Sequence, residues 1–124
     1  MSQKVILIVD DETSVRATLV KFIKSLGLAD EVLEAANGEE AVQQVRSTPH
    51  LKLILMDLKM PTKDGLKALE EIRGLNQEVK IAILTGYPFY GEADQAVKKW
   101  DVFDFISKPA DLDYLEKIVA AALV

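Results

Sequence analysis

The stretch LILMDLKMP, residues 53–61, decides the fold, because an apolar run ends abruptly on an acid. The segment 51–56, LKLILM, predicts a buried strand, and Pro61 breaks the chain soon after it. Asp57 then requires an explanation. No helix begins directly after it, so the carboxylate has no immediate amino-terminal helix end to cap.

Short apolar segments alternate with helical patterns on both sides of this strand. Strands are predicted at 4–9, 31–35, 51–56, 79–84 and 102–106, and helices at about 13–26, after Asn37, after Gly65, at about 91–100 and after Asp111. Near-continuous apolar strands between helices indicate a parallel sheet covered on both faces. Right-handed crossovers then predict a flavodoxin-like, doubly wound five-stranded parallel α/β sheet, in the order 2-1-3-4-5, with five helices.

Two of the predicted helices begin with capping signals. Asn37 followed by Glu40 predicts a capping box, and Asp111 predicts the cap of the last helix. The periodicity of that last helix places four apolar residues on its inward face, namely Leu112, Leu115, Ile118 and Val119.

Composition narrows the class of protein. The 124 residues are 49% hydrophobic and 28% charged, which fits one globular domain over 1–124. No apolar run approaches the ~20 residues of a membrane-spanning helix, and no signal-peptide pattern is evident, so we expect a cytoplasmic protein without membrane contact. A net charge of −5 with scattered basic residues argues against nucleic-acid binding. With no cysteine and a single histidine, His50, thiolate and histidine-based metal sites are excluded.

Polar side chains follow four of the five predicted strands. Asp10, Asp11, Asp57, Thr85 and Lys108 lie at these ends. Taken singly, each has an ordinary interpretation as a helix-start acid, a turn hydroxyl or a solvated lysine. Together they fall on one sheet edge, at the switch point where open α/β sheets bind ligands. Three carboxylates there would repel by about 1 kcal/mol per pair in water, which predicts a hard divalent cation of the Mg²⁺ type.

Four motifs carry a family resemblance. VDDE (9–12), LILMDLKMPTKDG (53–65), LTG (84–86) and FISKP (105–109) stand in order and at familiar spacing. With them the whole chain resembles the receiver domain of two-component response regulators, most closely the stand-alone chemotaxis type.

The resemblance implies a role for each motif residue. Asp57 would accept a phosphoryl group from a phosphohistidine of a sensor histidine kinase. Asp11, Asp57 and the backbone carbonyl of Lys59 would bind Mg²⁺, with Asp10 acting through a metal-bound water. Lys108 would pair with the phosphoryl oxygens.

The resemblance also implies a conformational switch. Thr85 and Phe105 would move together on phosphorylation, and the Lys108–Pro109 peptide would be cis. The output would be a changed surface read by a protein partner rather than by DNA, from a monomer or a phosphorylation-dependent dimer. The domain would be a phosphoryl acceptor with slow self-dephosphorylation and not a conventional enzyme.

Three other functions fit the sequence less well. A haloacid-dehalogenase-like phosphohydrolase would need a second aspartate two residues after its nucleophile, where this chain has Lys59. A pure binding module has no need of the full set Asp11, Asp57, Thr85 and Lys108. A nucleotide or flavin carrier would have a glycine-rich loop after the first strand, where this chain has DDETS.

Overall fold

The computed structural model describes residues 3–57, 65–85, 102–107 and 111–124, with the backbone alone at positions 66, 85, 105 and 107. The elements in chain order are β1 (Val5–Val9), α1 (Thr13–Leu26), β2 (Glu31–Ala35), α2 (Gly38–Ser47), β3 (Leu51–Asp57), α3 (Gly65–Leu75), β4 (Lys80–Thr85), β5 (Asp104–Ser107) and α4 (Leu112–Ala122). No helix within these ranges has the length and apolar character needed to cross a membrane.

The strands form one parallel sheet in the order β2-β1-β3-β4-β5. The predicted doubly wound α/β class is therefore confirmed, and the strand order is the predicted one. Four helices lie in the described ranges. The helix predicted at about 91–100 lies outside the described residues, so the count of five helices stays a prediction.

The sheet separates two apolar cores, which explains its continuous apolar strands. Along β1 every residue is buried, and alternate side chains enter opposite cores. Ile6 and Ile8 pack in a cluster that includes residues of α1 and α4. Leu7 and Val9 pack in a cluster that includes residues of α2 and α3.

Side-chain caps fix the starts of α2 and α4, close to the predicted positions. The Oδ1 of Asn37 accepts a hydrogen bond from the backbone N–H of Glu40 at 2.9 Å, and the Oε1 of Glu40 accepts from the N–H of Ala36 at 2.9 Å. The reciprocal bond thus reaches the residue before the cap instead of Asn37 itself. Asp111 caps α4 as predicted, since its Oδ1 accepts from the N–H groups of Asp113 and Tyr114.

The predicted inward position of Leu112 is wrong. Its residue surface is 43% exposed, and residues 111–114 are all exposed. The first turn of α4 therefore projects away from the sheet, and packing begins at Leu115. The buried face of the helix is Leu115, Ile118, Val119 and Ala122.

Candidate functional site

The strand register brings the predicted acids to one edge of the sheet. Val9 of β1 pairs with Met56 of β3, so Asp10 follows directly alongside Asp57. Asp57 in turn pairs with Leu84 of β4. The carboxyl ends of β1 and β3 thus present Asp10 and Asp57 side by side.

The same edge is the topological switch point of the sheet. From β1 the chain crosses to β2 on one side and then returns to β3 on the other. Helices α1 and α2, in these two connections, cover opposite faces of the sheet, and in sheets of this kind ligands bind at the carboxyl ends of the strands next to the switch point. Asp10 and Asp57 lie at these strand ends.

Three consecutive acids form a cluster there. Asp10, Asp11 and Glu12 each offer a carboxylate oxygen, and these oxygens lie within 4.8 Å of one another. Asp10 is fully buried, whereas Asp11 and Glu12 are exposed, and Asp57 is 6% exposed. Glu12 was not predicted as a site residue, although the uninterrupted run of three acids was a visible signal.

The donor set fits a hard divalent cation. Carboxylate oxygens are the ligands that Mg²⁺ prefers, and the site combines a buried wall with an open, solvent-facing side on which Mg²⁺ could retain water. Two unit charges 4.8 Å apart repel by about 0.9 kcal/mol in water, and more near a protein surface. A cation at the cluster would relieve this repulsion beside the Asp57 carboxylate.

Hydrogen bonds hold Asp10 at three points. Its N–H donates to the carbonyl of Ala35 in β2 at 3.1 Å. Its Oδ1 accepts from the N–H of Glu12 at 2.9 Å, and its carbonyl accepts from Nη1 of Arg16 at 2.6 Å. The backbone that precedes Asp11 is therefore fixed by neighbouring elements as well as by the strand.

Arg16 was missed in the sequence, although a signal was present. Arg16, Leu19 and Ile23 are spaced i, i+3 and i+7, so they share one helix face, and the two apolar members are buried. A cation on an apolar face indicates a fixed partner. Here the partners are the Asp10 carbonyl and Oε1 of Glu34, which lies 3.0 Å from the Arg16 Nε.

The remaining predicted residues are only partly placed. Thr85 is the last residue of β4 and pairs with Ser107 of β5, the residue before Lys108 in the sequence. The backbone of Phe105 pairs with Ile83. Lys59, Lys108 and Pro109 lie outside the described residues.

A doubly wound parallel sheet with an acidic cluster at its switch point, beside an aspartate that ends the central strand, is the arrangement expected of a receiver-like α/β domain. The sequence profile of the response regulator receiver domain matches residues 6–120. The chain belongs to this family and is a receiver domain of the two-component type.

Relatives and solved structures agree with this assignment. The chain is 38% identical over 118 residues to the regulatory protein AtoC of Escherichia coli K12, which covers 95% of this chain and 25% of AtoC. A CheY-like receiver domain from Methanospirillum hungatei superposes with a TM-score of 0.88 at 28% identity, covering 98% and 94% of the two chains. The receiver domain of the histidine kinase PA1611 from Pseudomonas aeruginosa, solved with a coordinated magnesium ion, gives a TM-score of 0.84 at 27% identity and 98% coverage of both chains.

The chain spans about a quarter of the length of the curated relatives it matches first. Its similarity to AtoC therefore concerns the receiver part of that protein.

Proposed function

We propose that Asp57 accepts a phosphoryl group from a phosphohistidine of a sensor histidine kinase. The observation that carries the proposal is the pairing of two strand ends. Asp57 closes β3 directly alongside Asp10, and Asp10 belongs to the acidic cluster. Asp57 is the last residue of a buried central strand and is itself 6% exposed, so the strand fixes the position of the proposed nucleophile.

The transfer itself needs little covalent assistance. An oxygen of the Asp57 carboxylate forms a bond to phosphorus, while the bond from phosphorus to the imidazole nitrogen of the donor breaks. The electron pair of that bond stays on the imidazole nitrogen, which takes up a proton, and Asp57 becomes an acyl phosphate. Phosphoryl transfer of this kind depends on alignment and on stabilisation of charge, and a strand-end carboxylate supplies the alignment.

Asp11, Asp57 and the backbone carbonyl of Lys59 would hold Mg²⁺, with Asp10 acting through a water. When bound, the ion supplies positive charge to the phosphoryl oxygens. The acidic cluster supports this assignment, as does the magnesium ion in the related PA1611 receiver. The exposed carboxylate of Glu12 adds negative potential at the entrance, which favours cation entry.

The other residues would complete the switch. Lys108 would pair with the phosphoryl oxygens next to a cis bond to Pro109, and Thr85 and Phe105 would respond together on the neighbouring strands. Two states that differ in contacts to the phosphoryl group would shift in population when it is added.

The proposed output is a changed protein surface. The domain, 1–124 as one unit, would act in the cytoplasm on a downstream protein without direct contact to nucleic acid, as a monomer or a phosphorylation-dependent dimer. It would dephosphorylate itself slowly and have no other turnover.

Intact-mass measurement after incubation with a small-molecule phosphodonor and Mg²⁺ tests the proposal. Wild type should gain one phosphoryl group, and Asp57→Asn should gain none. Asp113→Asn, which changes an exposed aspartate of α4, should keep the adduct. An equal adduct in wild type and Asp57→Asn would contradict the proposal.

A further inference from the structure

Arg16 connects the acidic loop, residues 10–12 after β1, to the neighbouring strand β2. Its side chain is 14% exposed, its Nη1 donates to the Asp10 carbonyl at 2.6 Å, and its Nε donates to Oε1 of Glu34 at 3.0 Å. We propose that Arg16 is a positioning residue for the Mg²⁺ site, which sets the orientation of the peptide between Asp10 and Asp11. The inference rests on the proposed function, because it assigns Arg16 to the same metal site.

The planarity of the peptide unit transmits this contact to Asp11. A carbonyl oxygen fixed in space also fixes the N–H and Cα of the next residue, because the whole unit rotates as one plane. Asp11 is exposed, so the position of its carboxylate depends on that backbone. The bond from Glu12 N–H to Asp10 Oδ1 fixes the other side of the turn. The contact with Arg16 therefore restrains the orientation of the peptide that leads into Asp11.

The guanidinium group suits this task by its shape. Its N–H groups form a rigid fork, so one side chain can hold two acceptors on different elements at once. The ion pair with Glu34 is a weak source of stability, since the Glu34 side chain is 48% exposed. Its contribution is to orient Arg16 so that Nη1 meets the Asp10 carbonyl.

Charge alone predicts the opposite effect on metal affinity. A cation beside an acidic cluster repels Mg²⁺, so a purely electrostatic role for Arg16 would make its removal tighten Mg²⁺ binding. A positioning role makes the same removal weaken binding. The sign of the change therefore separates the two roles.

Calorimetric titration of the phosphate-free protein with Mg²⁺ measures whether each variant binds the ion more weakly or more tightly than wild type. Arg16→Ala should weaken Mg²⁺ binding by about tenfold, the low end of the effect of removing a residue that orients metal ligands. Glu34→Ala should also weaken binding, because it removes both the anchor of Arg16 and a negative charge. Arg16→Lys keeps the positive charge and loses the rigid fork, so it should weaken binding if Arg16 has a positioning role and leave binding unchanged if only its charge matters.

Arg73→Ala is the matched control. Arg73 also donates through Nη1 to a backbone carbonyl, that of Val79 at 2.5 Å, but at the start of β4 and the opposite edge of the sheet. Its loss should lower the melting temperature and leave Mg²⁺ affinity unchanged. Circular dichroism at the titration temperature verifies that each variant is folded, and Arg16→Lys tests the inference if Arg16→Ala fails to fold.

The outcomes separate the inference from the proposed function. Unchanged or tighter Mg²⁺ binding in Arg16→Ala, or in Arg16→Lys where that variant stands in, would overturn the positioning role. If Asp11→Asn still abolished binding in that case, the proposed function would stand. Absence of saturable Mg²⁺ binding by wild type would overturn both.

Discussion

Neutralising Asp11 should stabilise the metal-free chain. Its carboxylate faces those of Asp10 and Glu12, with ligand oxygens within 4.8 Å, and each such pair costs about 0.9 kcal/mol in water. Removing two pairs is worth about 2 kcal/mol at the dielectric constant of water. The three acids are adjacent in sequence, so the unfolded chain keeps part of this repulsion. We therefore expect Asp11→Asn to gain about 1 kcal/mol at low ionic strength, or about 4 °C in melting temperature.

Urea unfolding at low and at high salt, with and without Mg²⁺, provides the assay. The gain should shrink at high salt, because screening weakens exposed charge pairs. Mg²⁺ should raise the stability of wild type and leave Asp11→Asn nearly unchanged, since a ligand stabilises only the state that binds it. Glu116→Gln removes one negative charge from an exposed position in α4 and is the control for net charge. A metal-free Asp11→Asn that is less stable than wild type at low salt would refute the reasoning.

Three further predictions concern the scaffold. Asn37→Ala should cost about 1 kcal/mol in urea unfolding, because the Glu40 N–H loses its cap, and an unchanged midpoint would contradict the capping role. The hydrogen bond from Tyr114 to Asp104 raises the pKa of Tyr114 above its ordinary 10.0, so its contribution to stability is present below pH 10 and lost as pH rises through the higher folded value. Tyr114→Phe should flatten this alkaline loss in pH-dependent melting, and an equally steep loss would argue against it. Leu69 of α3 is fully buried, so Leu69→Ala should lower the free energy of unfolding by roughly 2–5 kcal/mol, measured by thermal or urea unfolding. A loss below about 1 kcal/mol would mean that Leu69 is not packed as described.

The fold was predictable because its signals are local and repeated. Near-continuous apolar runs such as 51–56 identified the buried strands, and Asn37 and Asp111 marked helix starts through side-chain caps that the structure contains. Leu112 was misplaced because periodicity gives the face of a helix but not the point along it where packing begins. That point depends on how far the sheet extends, which is a tertiary property.

The site was predictable as a set of strand ends but not as a network. Asp10 and Asp57 each follow a buried strand, and the parallel order brings them to one edge. The contacts that hold them connect residues far apart in sequence, such as Arg16 in α1 with Glu34 in β2. Neither residue carries a local motif, and only the cation on the apolar face of α1 indicated that a partner was needed.

Chemical mapping of the phosphorylated residue tests the central proposal most directly. Borohydride reduces an acyl phosphate to an alcohol, so the phosphorylated aspartate becomes homoserine, which tandem mass spectrometry of peptides can locate. After treatment with a phosphodonor and Mg²⁺, homoserine is expected at position 57 and at no other aspartate. Homoserine at position 10 or 11, or a phosphate that resists borohydride on Thr85 or His50, would contradict the assignment of Asp57 as the phosphoacceptor.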